Sequence, residues 1–95
     1  MSFVYILSNK DNNVLYTGMT SNLQQRLLQH RNHYFAGFTA RYEVTKLVYF
    51  EEFTDIRHAI AREKQIKSWS RARKIALISQ HNPSWQDIIP PDELF

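Results

Sequence analysis

Among its 95 residues the chain has no cysteine, only two glycines and three prolines. The missing cysteines exclude disulfides, thiolate zinc sites, iron–sulfur clusters and cysteine nucleophiles together. So little glycine and proline excludes a collagen-like or linker-rich chain. No apolar run approaches the roughly 18 residues of a membrane span. Met1-Ser2-Phe3 opens a strand-like run without the charged flank of a secretion signal. Acidic residues are scarce in one region: from Ile56 to Gln86 Glu63 stands alone against Arg57, Arg62, Lys64, Lys67, Arg71, Arg73 and Lys74. The expectation is a single small cytoplasmic domain, with 43% hydrophobic and 14% aromatic residues to build one core. A net charge of +3 is mild. The basic segment nevertheless suits a phosphate backbone, in a salt-weakened contact, unless it merely solubilises two helices.

Phe3-Val4-Tyr5-Ile6-Leu7 is β-branched and aromatic and reads as a strand, followed by turn chemistry from Ser8 to Asn13. Val14 to Thr20 reads as the returning strand of a hairpin. An even-numbered hairpin loop pairs residues of opposite parity, which points Tyr5 and Tyr16 to one face; an odd loop or a bulge separates them. Ser21 to Gln24 offers a capping box for a helix over 22–31. His33 to Glu43 has no clean period and reads as a loop, Val44 to Phe53 as a third strand. Thr54 or Asp55 caps a helix over 56–67, Ser68 to Ser70 interrupts it, and a further helix runs over 71–80 to Asn82-Pro83. Trp85, Ile88 and Ile89 are candidates to fold back onto the core. The order β-β-α-β-α-α makes a small α/β domain over 1–82, with 83–95 as its C-terminal extension.

Some residues do not fit a pure core reading. With Ile56 at zero and about 100° per residue, Ala59 lies near −60°, Ile60 near +40°, Ile66 near −80° and Glu63 near −20°. Glu63 thus falls in the middle of an apolar stripe, where a carboxylate is costly unless paired or bound to a cation. In the preceding helix Arg26 and His30, spaced i and i+4, stack beside Leu23 and Leu27 on a half-buried face. A guanidinium beside an imidazole there suits phosphate, while an arginine snorkelling to water is the plain alternative. Gly18, two residues after Tyr16, marks a bulge or a close backbone approach. Tyrosine, arginine, histidine and glutamate together would make a phosphodiester hydrolysis site. The carboxylate would hold a divalent cation, the arginine would neutralise phosphorane charge, and a tyrosine or histidine would handle the water's proton.

Phe3-Val4-Tyr5, then Tyr16-Thr17-Gly18, with Asn22-Leu23 and Arg26-Leu27 following, resembles the GIY-YIG nuclease signature. Ala61-Arg62-Glu63-Lys64-Gln65-Ile66-Lys67-Ser68-Trp69 resembles the helix that carries that family's essential glutamate. The likeness spans residues 2–80. It is nearest to small stand-alone bacterial members, which are similar to the nuclease domain of the excision-repair incision subunit. The resemblance implies a three-stranded antiparallel sheet flanked by helices and one divalent metal, Mg²⁺ or Mn²⁺, on Glu63. It implies Tyr5 and Tyr16 on the active face, Arg26 at the scissile phosphate and His30 at a position some members fill with histidine. Phe3 and Thr17 depart from the motif's first glycine and second isoleucine. Met19 stands where excision-repair relatives carry lysine, which leaves the general base open between Tyr16, Tyr5 and His30.

The function implied is a metal-dependent DNA endonuclease, in repair or processing, with Lys64, Lys67, Arg71, Arg73 and Lys74 on backbone phosphates. The expectation is a chain without room for a separate targeting module, so that target choice would be unspecific, structure-selective or supplied by a protein partner. Two competing classes are a nucleic-acid-binding module without useful turnover and a protein-interaction domain. In the latter, Tyr34, Phe35 and Phe38 would present an aromatic patch, unless they pack on the core.

Overall fold

The computed structural model describes residues 1–32 and 37–90. Its elements are β1 (Ser2–Ser8), β2 (Leu15–Thr20), α1 (Leu23–Arg31), α2 (Phe38–Arg41), β3 (Lys46–Phe53), α3 (Ile56–Ser68) and α4 (Arg71–His81). The strands form one antiparallel sheet in the order β2-β1-β3. The central strand β1 is buried along its whole length, which is why its sequence is a continuous apolar run. Val4 and Ile6 face one core, with Ala59 and Ile66 of α3 and Ile78 of α4. Phe3, Tyr5 and Leu7 face the other, with Leu23 and Leu27 of α1, Val44 and Leu47.

The hairpin loop is residues 9–14, because Ser8 pairs with Leu15. It is even-numbered, so Tyr5, paired with Gly18, and Tyr16, paired with Leu7, share a face as parity requires. Asn9 closes the loop by accepting from the backbone N–H groups of Asn13 (2.9 Å) and Val14 (3.1 Å). A register break in the β1–β3 ladder between Ile6 and Leu7 is a bulge. It turns the neighbours Val48 and Tyr49 to the same core, against strand alternation.

Four readings of the sequence are corrected. The segment taken as loop holds the four-residue helix α2, introduced by Gly37 at φ 97, a backbone region that side chains rarely enter. The cap of α1 is Asn22, which accepts from Gln25 N–H at 3.0 Å, one residue later than a box begun at Ser21. On α3 the buried residues are Ala59 and Ile66, whereas Ile56 is 54% and Ile60 39% exposed. The buried face is therefore turned from the assumed stripe, and Glu63 lies at its flank rather than its centre. Of the C-terminal residues, Trp85 and Ile88 do fold back, but Ile89 stays exposed.

That return segment seals the free edge of β3. Asn82 Nδ2 donates to Val48 O (3.0 Å), Asp87 Oδ1 accepts from Leu47 N–H (3.0 Å), and Ile88 N–H donates to Leu47 O (2.8 Å). Edge groups of the sheet are thus satisfied internally, which blunts edge-to-edge association.

Candidate active site

The site begins with a missing side chain. Gly18 faces Tyr5 across the β1–β2 ladder, and a Cβ on Gly18 would lie 2.5 Å from Tyr5 Cζ. The Tyr5 ring therefore lies flat across the edge strand β2 in space that only glycine leaves. At that place His30 of α1 reaches the hydroxyl. The charges of Arg26 on α1 and, more weakly, Glu63 on α3 also bear on the phenol.

The Tyr5 hydroxyl lies 3.2 Å from His30 Nε2, and His30 Nδ1 lies 3.1 Å from Thr39 Oγ1, so the three side chains form one hydrogen-bonded chain. His30 and Thr39 are both buried. Burial, with the Arg26 charge second, lowers the imidazole to about 4, so His30 is neutral at physiological pH. Burial, reinforced by Tyr16 and Glu63 and opposed by Arg26, pushes the Tyr5 phenol above its usual range, so it stays protonated. Tyr16 is half-buried at the mouth, its ring 5.4 Å from His30 and 6.4 Å from Tyr5.

Tyr5, Tyr16, Arg26 and His30 thus meet at one place, with Glu63 within electrostatic reach. Thr39 is an addition that the sequence reading missed. It lies in a stretch without periodicity, and only the fold of α2 brings it to His30.

Residues 1–76 match the GIY-YIG catalytic domain. The chain belongs to the GIY-YIG family. A UPF0213 protein of Clostridium perfringens is 47% identical over 83% of this chain and 84% of its own length. A UPF0213 protein of Natronomonas pharaonis is 39% identical over 81% and 89%. The solution NMR structure of a UPF0213 protein from Bacillus halodurans superposes with a TM-score of 0.58 at 30% identity, over 92% of this chain and 93% of that one. The names of these relatives state no activity. The family is a nuclease family, which implies DNA as substrate and a divalent cation. The family and the fold expected from the sequence are both borne out.

The donor chemistry near the GIY-YIG site fits one kind of cation. Among the described residues no group of three or more His, Cys, Asp or Glu side chains could enclose a metal. Glu63, half-buried, is ion-paired with Lys67 at 3.4 Å. A single carboxylate suits a hard cation that keeps waters and takes further oxygen ligands from phosphate. It does not suit a metal that needs nitrogen or sulfur donors.

The five cations expected on phosphate have varied surroundings. Lys67 sits on Glu63, and Arg71 donates to Asn12 O at 3.5 Å beside the hairpin. Arg73 stacks on Trp69, 4.2 Å from its ring centre; Lys64 is exposed and Lys74 half-buried. Arg62, counted with the basic segment, is neutralised by Glu51 at 2.8 Å. Among the described residues no helix is long and apolar enough to cross a membrane.

Proposed function

We propose that this GIY-YIG protein is a metal-dependent endonuclease that hydrolyses phosphodiester bonds in DNA, with Glu63 holding Mg²⁺ or Mn²⁺. The observation that carries this reading is the buried chain Tyr5–His30–Thr39 with Tyr16 beside it, built over a glycine that makes room for the Tyr5 ring. A fold built only for stability has no need of that gap.

Each residue then has a task its environment suits. Arg26 offers planar, permanently charged donors to a phosphate and to the charge that grows on it during attack. Tyr5, held protonated and aimed by His30, donates or orients rather than taking a proton. His30 bridges Tyr5 and Thr39, so it fixes the tyrosine. Tyr16, at the open side, is left to accept the attacking water's proton. A bound divalent cation would supply Lewis-acid stabilisation of phosphate oxygens. Glu63 would exchange its pairing with Lys67 for that cation, and Lys67, with Lys64, Arg71, Arg73 and Lys74, would turn to backbone phosphates.

The test is incubation with supercoiled plasmid and with flap, branched and single-stranded DNA in Mg²⁺ and then Mn²⁺. Nicking that disappears with EDTA and with Glu63→Ala is expected. Cleavage that survives Glu63→Ala would overturn the assignment. Salt-dependent binding without cleavage would favour a binding module.

A further inference from the structure

The short helix α2 points its residues two ways. Thr39 turns inward to His30, while Phe38 and Tyr42 remain 49% and 43% exposed. Neither ring is part of the two hydrophobic cores. They pack on each other, with ring centres 5.0 Å apart and planes inclined by 52°. Phe38 also lies 6.5 Å from Tyr16 at a shallow 31°, and Tyr16 lies 5.4 Å from His30. A run of rings therefore leads from the buried end of the active site to the surface. At its outer end the Arg41 guanidinium sits 5.5 Å above Tyr42.

Exposed rings beside a phosphate site, with a cation on the outermost, are the elements of a stacking platform for nucleobases. In an intact duplex the bases are already stacked on one another and cannot reach such rings. An unpaired base can be splayed onto them while its phosphate stays at the cation. A protein partner would account for exposed rings but not for their continuity with Tyr16.

Resting on the nuclease reading above, we propose that Phe38 and Tyr42 form a shelf for an unpaired base beside the scissile phosphate. The preferred substrate is then single-stranded or locally unpaired nucleic acid.

The shelf is tested by binding, without turnover. Fluorescence anisotropy in EDTA at low salt compares three labelled probes: an oligo(dT), an abasic oligonucleotide with the same number of phosphates, and a blunt duplex hairpin. The expected result is oligo(dT) bound about tenfold or more tightly than the abasic probe, as stacking of one or two bases provides. Phe38→Leu and Tyr42→Leu, which keep apolar bulk but lose the aromatic face, should bring oligo(dT) down to the abasic level and leave abasic binding unchanged. Phe38→Trp should retain the preference and show fluorescence quenched by oligo(dT). Equal wild-type affinity for all three probes, or variants that weaken every probe alike, overturns the shelf while leaving the nuclease reading intact. Absence of binding to any probe also overturns the shelf, while the nuclease reading stands or falls by cleavage in Mg²⁺ or Mn²⁺.

Discussion

Tyr5 on β1 and Tyr49 on β3 are both buried, and burial is the leading cause that pushes each phenol above its usual range. Their partners differ. Tyr49 donates to the Glu51 carboxylate, which also takes the Arg62 guanidinium through Nε at 2.9 Å and Nη2 at 2.8 Å. Burial alone would raise Glu51; the hydrogen bonds from Arg62 and Tyr49 outweigh it and hold the carboxylate below its usual range. Arg62 in turn lies 5.0 Å over Trp69. That cluster balances its own charges. At Tyr5, by contrast, the guanidinium of Arg26 meets a neutral phenol, which leans on a neutral imidazole. Similar side chains therefore give a closed ion pair on one face. On the other they gather an arginine, a histidine and a second tyrosine around one buried phenol.

The largest effect that separates the two clusters comes from their arginines. Arg26→Ala should lower cleavage by about 10²–10³-fold, the usual cost of one transition-state donor. Arg62→Ala should do the reverse: near-normal cleavage, and a loss of about 2 kcal/mol, between the limits for surface and buried pairs. Cleavage rates and urea unfolding of both variants decide the matter. If Arg62→Ala also abolished cleavage, the division between the clusters would fail.

Next is pH. His30 has a folded-state value of about 4 against 6.5 when free. Above 6.5 it contributes nothing to the pH dependence of stability. As pH falls from 6.5 towards 4 the unfolded chain takes a proton that the folded chain refuses, and stability drops by up to about 3 kcal/mol. His30→Gln should flatten that part of the profile, and Tyr49→Phe should not. Unfolding free energies between pH 7 and 4 give the comparison; parallel wild-type and His30→Gln curves would contradict it.

Gly18→Ala should cost about 1–3 kcal/mol, as overpacking does, because the new methyl meets the Tyr5 ring. Tyr5→Phe in the same chain should not restore stability, since the ring carbon Cζ is itself in the way. Denaturant midpoints of the single and double variants check this. The smallest effect is at Thr39. Thr39→Val should lower the rate by about tenfold, one hydrogen bond's worth, and Thr39→Ser should restore it. Nitrogen-15 NMR of His30 should show a single tautomer in the wild type and in Thr39→Ser, and a mixture in Thr39→Val.

The parts of this account that were legible in the sequence are those fixed by local pattern. An even hairpin loop, one of the two parities the sequence left open, puts Tyr5 and Tyr16 on one face, and the i, i+4 spacing put Arg26 beside His30. Asp55, one of two candidate caps, starts α3 by accepting from Arg57 N–H, whereas Ser70, read only as part of an interruption, caps α4 by accepting from Arg73 N–H. Glu63 drew notice for a reason that proved half right. Its wheel position was correct, but the helix is rotated so that Arg62 meets Glu51, and Ile56 and Ile60 face solvent. A wheel shows which residues share a face, not which face a sheet receives. The β3 bulge, Thr39 and the Tyr49–Glu51–Arg62 cluster were illegible because each depends on pairing between distant segments. Tyr34 and Phe35, offered with Phe38 either as an aromatic patch or as core residues, lie outside the described residues.

The most direct measurement sets the two tyrosines against each other. Tyr5→Phe and Tyr49→Phe would be compared for single-turnover cleavage of a single-stranded oligonucleotide in Mg²⁺ and for stability in urea. The account predicts that Tyr5→Phe loses about 10²-fold or more in rate while staying folded, and that Tyr49→Phe keeps its rate and loses stability. A Tyr5→Phe protein that cleaves as fast as the wild type would contradict it.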